Sequence, residues 1–408
     1  MKGVGVLQRI AILKNSIQPY NWGSTTFIPE LLGEESPSRI PQAEMWMGSH
    51  SKAPSLALRG GVHRSLGELI DDDPEGTLGH SVSTRYSGNL PFLFKVLASS
   101  RPLSIQAHPD RARAKMGFRR ENTKEIGLDA PHRNYRDENH KPELICAMSP
   151  FWALKGFRRT GDIIRLLDMI GSPLKGLRTD LLRERPDKEG LKAFFVSLMT
   201  MKDDVKEGVL AQIAERVTTL HLTAPEFAWL DRLNREYPGD IGLLSPLLLN
   251  LVRLNPGEAL YIPAGELHAY LEGAGLEIMA NSDNVIRGGL TGKHIDLAEL
   301  IQILDFTSRE PEILRPAGEN RTELHYPIIA EEFALSMISV DDNGLGYESP
   351  AQRSAEIMIC MEGEATVTDK SNGDNLLFKK GTSIFVPASV EQYRIMGTAT
   401  IYKAFVPL

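Results

Sequence analysis

A stretch of fourteen residues occurs twice in this chain, and its form restricts the fold more than any other feature. Asn255-Pro-Gly-Glu-Ala-Leu-Tyr-Ile-Pro-Ala-Gly-Glu-Leu-His268 aligns with Lys379-Lys-Gly-Thr-Ser-Ile-Phe-Val-Pro-Ala-Ser-Val-Glu-Gln392. Gly257 falls on Gly381, Pro263 on Pro387 and Ala264 on Ala388, while Leu260, Tyr261 and Ile262 fall on Ile384, Phe385 and Val386. A turn glycine, a run of large apolar residues and Pro-Ala at the end of the run make a hairpin-and-strand unit, used twice. The copies differ at the last position, where His268 in the first is Gln392 in the second. Two related β-barrels follow, one with a potential metal ligand and one that has lost it. The turn dipeptide Asn372-Gly373 and the runs Ile357–Met361 and Leu376–Phe378 supply further strands for the second barrel.

The first copy has the form Gly-x(5)-Pro-x-Gly-x(2)-His, the second half of the cupin pattern, and small barrels of that kind enclose a ligand or metal. At 408 residues the chain exceeds the roughly 250–300 that one core supports, so more than one domain is expected. From Ile10 to about Gly156 short apolar runs (Pro91–Leu97, Leu103–Ala107, Leu144–Met148, Trp152–Leu154) alternate with prolines too frequent for long helices. The polar, basic excursion 111–136 reads as a surface or active-site loop with a short helix at Arg111–Phe118. From about Arg158 to Ile241 the apolar period becomes helical (Ile163, Ile164, Leu166, Leu167, Ile170; Val205, Val209, Ile213, Val217; Phe227, Leu230, Leu233). Thr223-Ala-Pro-Glu226 reads as a capping box opening a helix. The expected architecture is mainly β with an inserted α-helical domain and two cupin or jelly-roll barrels. Residues 1–157 and 243–310 would form the catalytic cupin domain, 158–242 the helical insertion, and 311–408 a C-terminal jelly roll lacking metal ligands.

A net charge of −7 is at odds with nucleic-acid binding, which needs a dense basic surface, but it leaves room for a local Lys/Arg cluster holding an anion. Met1–Leu13 is mildly apolar yet interrupted by Gln8 and Arg9, and Ile241–Val252 is short of the roughly 20 residues of a membrane span and broken by Pro246. Neither secretion nor membrane insertion is expected. The two cysteines, Cys146 and Cys360, lie in apolar runs and read as buried, reduced thiols of a cytoplasmic protein.

Ligand-type residues gather around Ser104-Ile-Gln-Ala-His-Pro109. In a strand Gln106 and His108 share one face, joined by Ser104 if the strand stays regular. Glu143 opens another apolar strand, and His268 closes the first repeat. Two imidazoles, a carboxylate and an amide oxygen suit a divalent metal with an open position, as in catalytic zinc sites. The two-histidine, one-carboxylate set also fits non-haem iron, and the amide leans toward a redox-inactive ion.

Six segments resemble type I phosphomannose isomerases: Pro19–Ser24, Ala43–His50, Pro91–Leu97, Leu103–Asp110, Asn139-His-Lys-Pro-Glu143 and Asn281-Ser-Asp-Asn-Val-Ile-Arg-Gly-Gly-Leu-Thr-Gly-Lys293. They occur in the family's order over roughly residues 15–300. The resemblance implies one Zn²⁺ on Gln106, His108, Glu143 and His268, with Arg287 as the essential arginine. It implies substrate handling by Lys95, Ser104, Lys141, Glu277 and Lys293, with Trp22 and Glu44 at the rim or in support. Where the family has Leu-Thr-Pro-Lys, this chain has Leu290-Thr-Gly-Lys293. The implied reaction interconverts mannose 6-phosphate and fructose 6-phosphate through a cis-enediol. Arg287 would stabilise the developing charge or grip the phosphate, and Glu277 or Lys141 would act as base, with His140 and Asp283 behind them. Ser104 and Lys95 or Lys293 are the expected phosphate contacts. A small sugar phosphate is the only partner expected, and the protein would be a monomer or weak homo-oligomer. The competing readings are a non-haem iron oxygenase and a non-catalytic sugar-phosphate binder.

Overall fold

The apolar runs become strands, and each copy of the repeat becomes one strand of a separate sheet. The computed structural model describes residues 9–408 apart from 60, 172–175, 320, 342, 343 and 345, so the start of the Met1–Leu13 stretch lies outside the described residues. Two ten-stranded, antiparallel sheets dominate the chain. In one, the strands Glu44–Met47, Phe92–Ser99, His268–Ala280, Glu143–Ala147 and Ala259–Ile262 lie side by side in that order. In the other, Glu323–His325, Ala334–Val340, Tyr393–Phe405, Glu356–Asp369 and Ser383–Val386 repeat the same order. Ala11–Lys14 pairs with Ser383–Val386, so an N-terminal strand completes the sheet of the C-terminal segment. Leu144, Leu276 and Phe94 of the first sheet share one buried cluster with Ile357, Phe385 and Leu335 of the second.

The strand His268–Ala280 changes partners along its length. Its first half pairs with Phe151–Phe157 and its second with Glu143–Ala147, across a bulge between Tyr270 and Glu272. Gly273 makes the bend: its φ is +123°, and a Cβ there would lie 2.6 Å from the Pro150 carbonyl oxygen.

Between the strands Phe151–Phe157 and Leu249–Leu254 the chain inserts the helices Thr160–Ile170, Thr179–Glu184, Lys188–Met199, Asp203–Leu220 and Pro225–Glu236. Their apolar faces close on the sheet, where Phe157, Phe195 and Phe306 meet with ring centroids 5.1–5.7 Å apart. The capping box at Thr223 does not form. The Thr223 hydroxyl instead donates to the Leu220 carbonyl (2.7 Å), finishing the preceding helix, and Ala224 occupies the cap position. Glu226 pairs with Arg158 at 3.0 Å and ties the helix to the strand end.

The first region is less uniformly strand-like than its prolines suggest, because short helices fill Leu66–Asp72, Pro74–Leu78 and His80–Arg85. The basic excursion holds a longer helix than expected, Arg111–Thr123, capped by Asp110 accepting from the Arg113 amide (2.8 Å). Both cysteines are free and buried, and burial pushes the Cys146 thiol up to about 12 and the Cys360 thiol up to about 11. No helix among the described residues is long and apolar enough to cross a membrane.

Candidate active site

His108, Glu143 and His268 come from three different strand ends and meet in the interior of the first sheet. One ligand atom from each lies within 4.8 Å of the others. Glu143 stands between the imidazoles, 3.2 Å from His108 Nε2 and 3.3 Å from His268 Nε2. Backbone carbonyls fix both rings: His108 Nδ1 donates to the Asn284 carbonyl (2.7 Å) and His268 Nδ1 to that of Glu266 (3.0 Å). Each Nε2 therefore presents its lone pair inward, and both are buried without a hydrogen-bond partner among the described residues. Burial outweighs the Glu143 carboxylate and pushes His108 down to about 4, keeping its imidazole neutral. Burial opposes ionisation of Glu143, but Lys141, 3.2 Å away, and the imidazoles hold it well below the usual carboxylate range. Two imidazoles held by carbonyls and one ionised carboxylate fit a divalent metal.

Gln106 lies on the short strand Ile105–Ala107, paired across to His268 on one side and Arg287 on the other. The amide is thus beside the triad, half-buried, and Ser104 sits just before that strand rather than within it.

A second group lies one register step along. Lys95 Nζ is 2.8 Å from Glu277 and 3.6 Å from Glu44, and the Trp46 indole donates to Glu44 at 2.6 Å. Burial would lower Lys95, but the two carboxylates hold it above its usual value and charged. Burial raises Glu277; Lys95 opposes this, and the Glu143 and Glu44 charges add to it. Two acids share one ammonium here, which makes Glu277 the carboxyl most ready to take a proton. Tyr270, missed in the sequence because it sits inside an apolar run, donates its hydroxyl to Glu143 at 3.5 Å. It is two residues past His268 on one strand, so alternation alone could have found it.

The third group is cationic. Burial lowers the pKa of Arg287 and the neighbouring charge of Arg136 lowers it further; burial, Arg287 and Arg136 lower Lys293 in the same way. None of the three has a carboxylate partner among the described residues. Arg136 also escaped sequence reasoning. Its amide is held by Asn284 Oδ1 (2.7 Å), and Asn284 Nδ2 donates to the carbonyls of Asp137 (3.0 Å) and Asn139 (2.9 Å). Asn284 therefore links the segment leading to Lys141 with the ring of His108.

The remaining candidates belong to none of these three groups. Trp22 is half-buried and stacks on Tyr20 with centroids 5.6 Å apart. His140 is drawn to Glu332 (2.7 Å), and Asp283 to Lys52 (2.7 Å), which disfavours both as bases.

Comparison with known proteins agrees with this arrangement. Residues 10–160 match the catalytic domain of type I phosphomannose isomerases, 176–249 their helical insertion domain, and 322–406 the mannose-6-phosphate isomerase cupin domain. Mannose-6-phosphate isomerase of Escherichia coli (strain K12) is 40% identical over 395 residues, covering 96% of this chain and 98% of that protein. Mannose-6-phosphate isomerase 1 of Arabidopsis thaliana is 32% identical over 424 residues, covering 97% and 94%. Among solved structures, a zinc-bound mannose 6-phosphate isomerase superposes with a TM-score of 0.89 at 37% identity, covering 98% of this chain and 100% of that one. A point variant of phosphomannose isomerase from Salmonella typhimurium gives a TM-score of 0.91 at 38% identity, with the same coverage. Similarity at this level over nearly the whole length, on a chain whose buried histidines and glutamate form a metal-ready triad, means that the chain belongs to the type I phosphomannose isomerase family.

Proposed function

We propose that this protein is a zinc-dependent mannose-6-phosphate isomerase, converting mannose 6-phosphate and fructose 6-phosphate into each other. The observation that carries the reading is the buried triad, whose two imidazole nitrogens have no partner among the described residues, with Arg287, likewise unpaired among them, on the strand next to Gln106. His108, Glu143 and His268, with Gln106 as a fourth ligand, would hold the ion, which when bound supplies a Lewis acid for the sugar oxygens.

The chain's own residues account for the rest. Glu277 accepts the proton from C2 and returns it to C1; its burial strengthens it as a base, and Lys95 keeps its partner charge fixed at 2.8 Å. Lys141, paired with Glu143, donates hydrogen bonds to the sugar. Arg287 faces the oxygens on which enediolate charge develops, where a guanidinium stays charged and forks onto paired acceptors. Lys293 and Arg136 hold the phosphate. Lys95 is closed in by Glu44 and Glu277, so its part is electrostatic and Glu44 supports it. Ser104, half-buried just before the strand of Gln106, and Trp22, packed against the cluster that holds Tyr270, contact the sugar. The division into a catalytic cupin domain (1–157 and 243–310), a helical insertion (158–242) and a C-terminal jelly roll (311–408) belongs to the same reading. So do a cytoplasmic location and a monomeric or weakly associated state.

An assay coupled to consumption of fructose 6-phosphate tests the proposal. Turnover of mannose 6-phosphate by the zinc-loaded protein is expected, falling about 10²–10³-fold in Arg287→Ala with the metal retained. An inactive zinc-loaded protein that still binds the sugar phosphate would instead indicate a sensor. Oxygen consumption with iron would indicate an oxygenase.

A further inference from the structure

The two sheets correspond strand for strand, and their registers identify equivalent positions. Ile262 pairs with Glu143 in the first sheet, and its repeat partner Val386 pairs with Glu356 in the second. Glu277 lies opposite Ile145, two residues past Glu143, and Lys403 lies opposite Met358, two residues past Glu356. Across the next strand Glu277 faces Lys95, and Lys403 faces Ser336. One strand further, Glu44 pairs with Leu97 and Glu323 with Ile338, each two residues beyond that facing position. The C-terminal sheet thus keeps the carboxylates of Glu143 and Glu44 as Glu356 and Glu323, while Glu277 has become Lys403.

At this place the C-terminal sheet opens into a cavity of about 460 Å³, lined by Glu323, Tyr347, Arg353, Glu356, Lys403 and Phe405 among others. That size falls within the range of about 300–1,000 Å³ usual for small-molecule sites. Lys403 is buried and lies 2.6 Å from Glu323 and 3.4 Å from Glu356, donating also to the Tyr347 hydroxyl at 2.9 Å. Arg353 lies 3.6 Å from Glu356, taking with Lys403 the charge-balancing part that a metal would play beside Glu143. The Arg353 side chain is 4% exposed, yet its Nε is a buried donor without a partner among the described residues. A buried donor left without a partner on a residue that lines a cavity is available to a ligand hydroxyl.

We propose that this cavity is a second ligand site, the counterpart of the active site in the C-terminal domain, and that it takes a neutral sugar or polyol without metal. The lining sets the acids Glu323, Glu348 and Glu356 against the bases Lys403 and Arg353, so the pocket has no excess positive charge to draw a phosphate. Their fixed donors and acceptors match vicinal hydroxyls, and the half-buried Phe405 ring, with Lys403 over one face, adds apolar surface for sugar C–H groups.

The test uses the zinc-loaded full chain with its catalytic site saturated by fructose 6-phosphate, titrated with D-mannose and D-mannitol by calorimetry. One equivalent of either is expected to bind. Gln352 is exposed at the cavity rim, so Gln352→Trp should fold normally, keep isomerase turnover and lose this binding. Lys403→Met should weaken it by about tenfold or more. Absence of mannose and mannitol binding, or binding that survives Gln352→Trp, would overturn the proposal. Uptake of a second equivalent of fructose 6-phosphate, blocked by Gln352→Trp, would overturn the neutral class of ligand.

Discussion

Replacing Lys95 with methionine removes one charge and leaves two carboxylates in a place built for three groups. Glu277 loses a partner at 2.8 Å and Glu44 one at 3.6 Å, and all three side chains are buried. Deleting one member of a buried pair costs about 3–5 kcal/mol, most of it the penalty for the charge left behind. That penalty depends on pH, and its sign follows from the direction of the Glu277 shift. Burial already raises Glu277 in the native state, and loss of Lys95 raises it further above the unfolded value of about 4.3. Between those two values the folded state binds the extra proton, so stability is retained at low pH and lost as pH rises toward the folded value. Urea melts of wild type and Lys95→Met at pH 5 and pH 8 should show a loss that is largest at pH 8 and shrinks toward pH 5. Adding Glu277→Gln should recover part of the loss at pH 8, since it removes one stranded charge. An equal loss at both pH values would refute the reasoning and reduce Lys95 to a packing residue.

Asn284→Ala leaves the amide of Arg136 and the carbonyls of Asp137 and Asn139 without their buried partner; melts should show about 2–5 kcal/mol of destabilisation, and a loss under 0.5 kcal/mol would mean the segment holds itself. Arg136→Ala should raise KM for mannose 6-phosphate about tenfold or more with kcat little changed, as expected for a charge that grips phosphate equally in ground and transition states; a fall in kcat alone would place it at the reacting oxygens. Because burial raises both thiols, Cys146 and Cys360 should resist alkylation at pH 8 in the native protein and react once it is unfolded; modification of folded protein would contradict their burial.

Much of the scaffold was legible because period and punctuation are local. Glycine, an apolar run and Pro-Ala marked the strands Ala259–Ile262 and Ser383–Val386, and the helical period marked the insertion. His108 and Glu143 stood out as ligand types at strand ends. What escaped depends on pairing between distant strands. Tyr270 looks like any core aromatic until the strand beside it brings Glu143 within reach. Arg136 is one of many basic residues in a polar excursion until Asn284 fixes its backbone. The attachment of Ala11–Lys14 to the C-terminal sheet joins residues more than 350 apart, and no local pattern encodes it. Lys95 read as a phosphate contact because its charge is visible and its two acidic neighbours are remote in sequence. Thr223 matched a capping box in spacing, yet its hydroxyl found a nearer acceptor in the preceding turn.

Zinc titration of the chelator-treated protein, followed by isomerisation of mannose 6-phosphate, bears most directly on the site built from His108, Glu143 and His268. Turnover should be abolished by chelation, rise linearly with added zinc and level off at one ion per chain, with no such rise in His268→Ala. Full turnover in metal-free protein, or restoration of the His268→Ala variant by the same single equivalent, would contradict it.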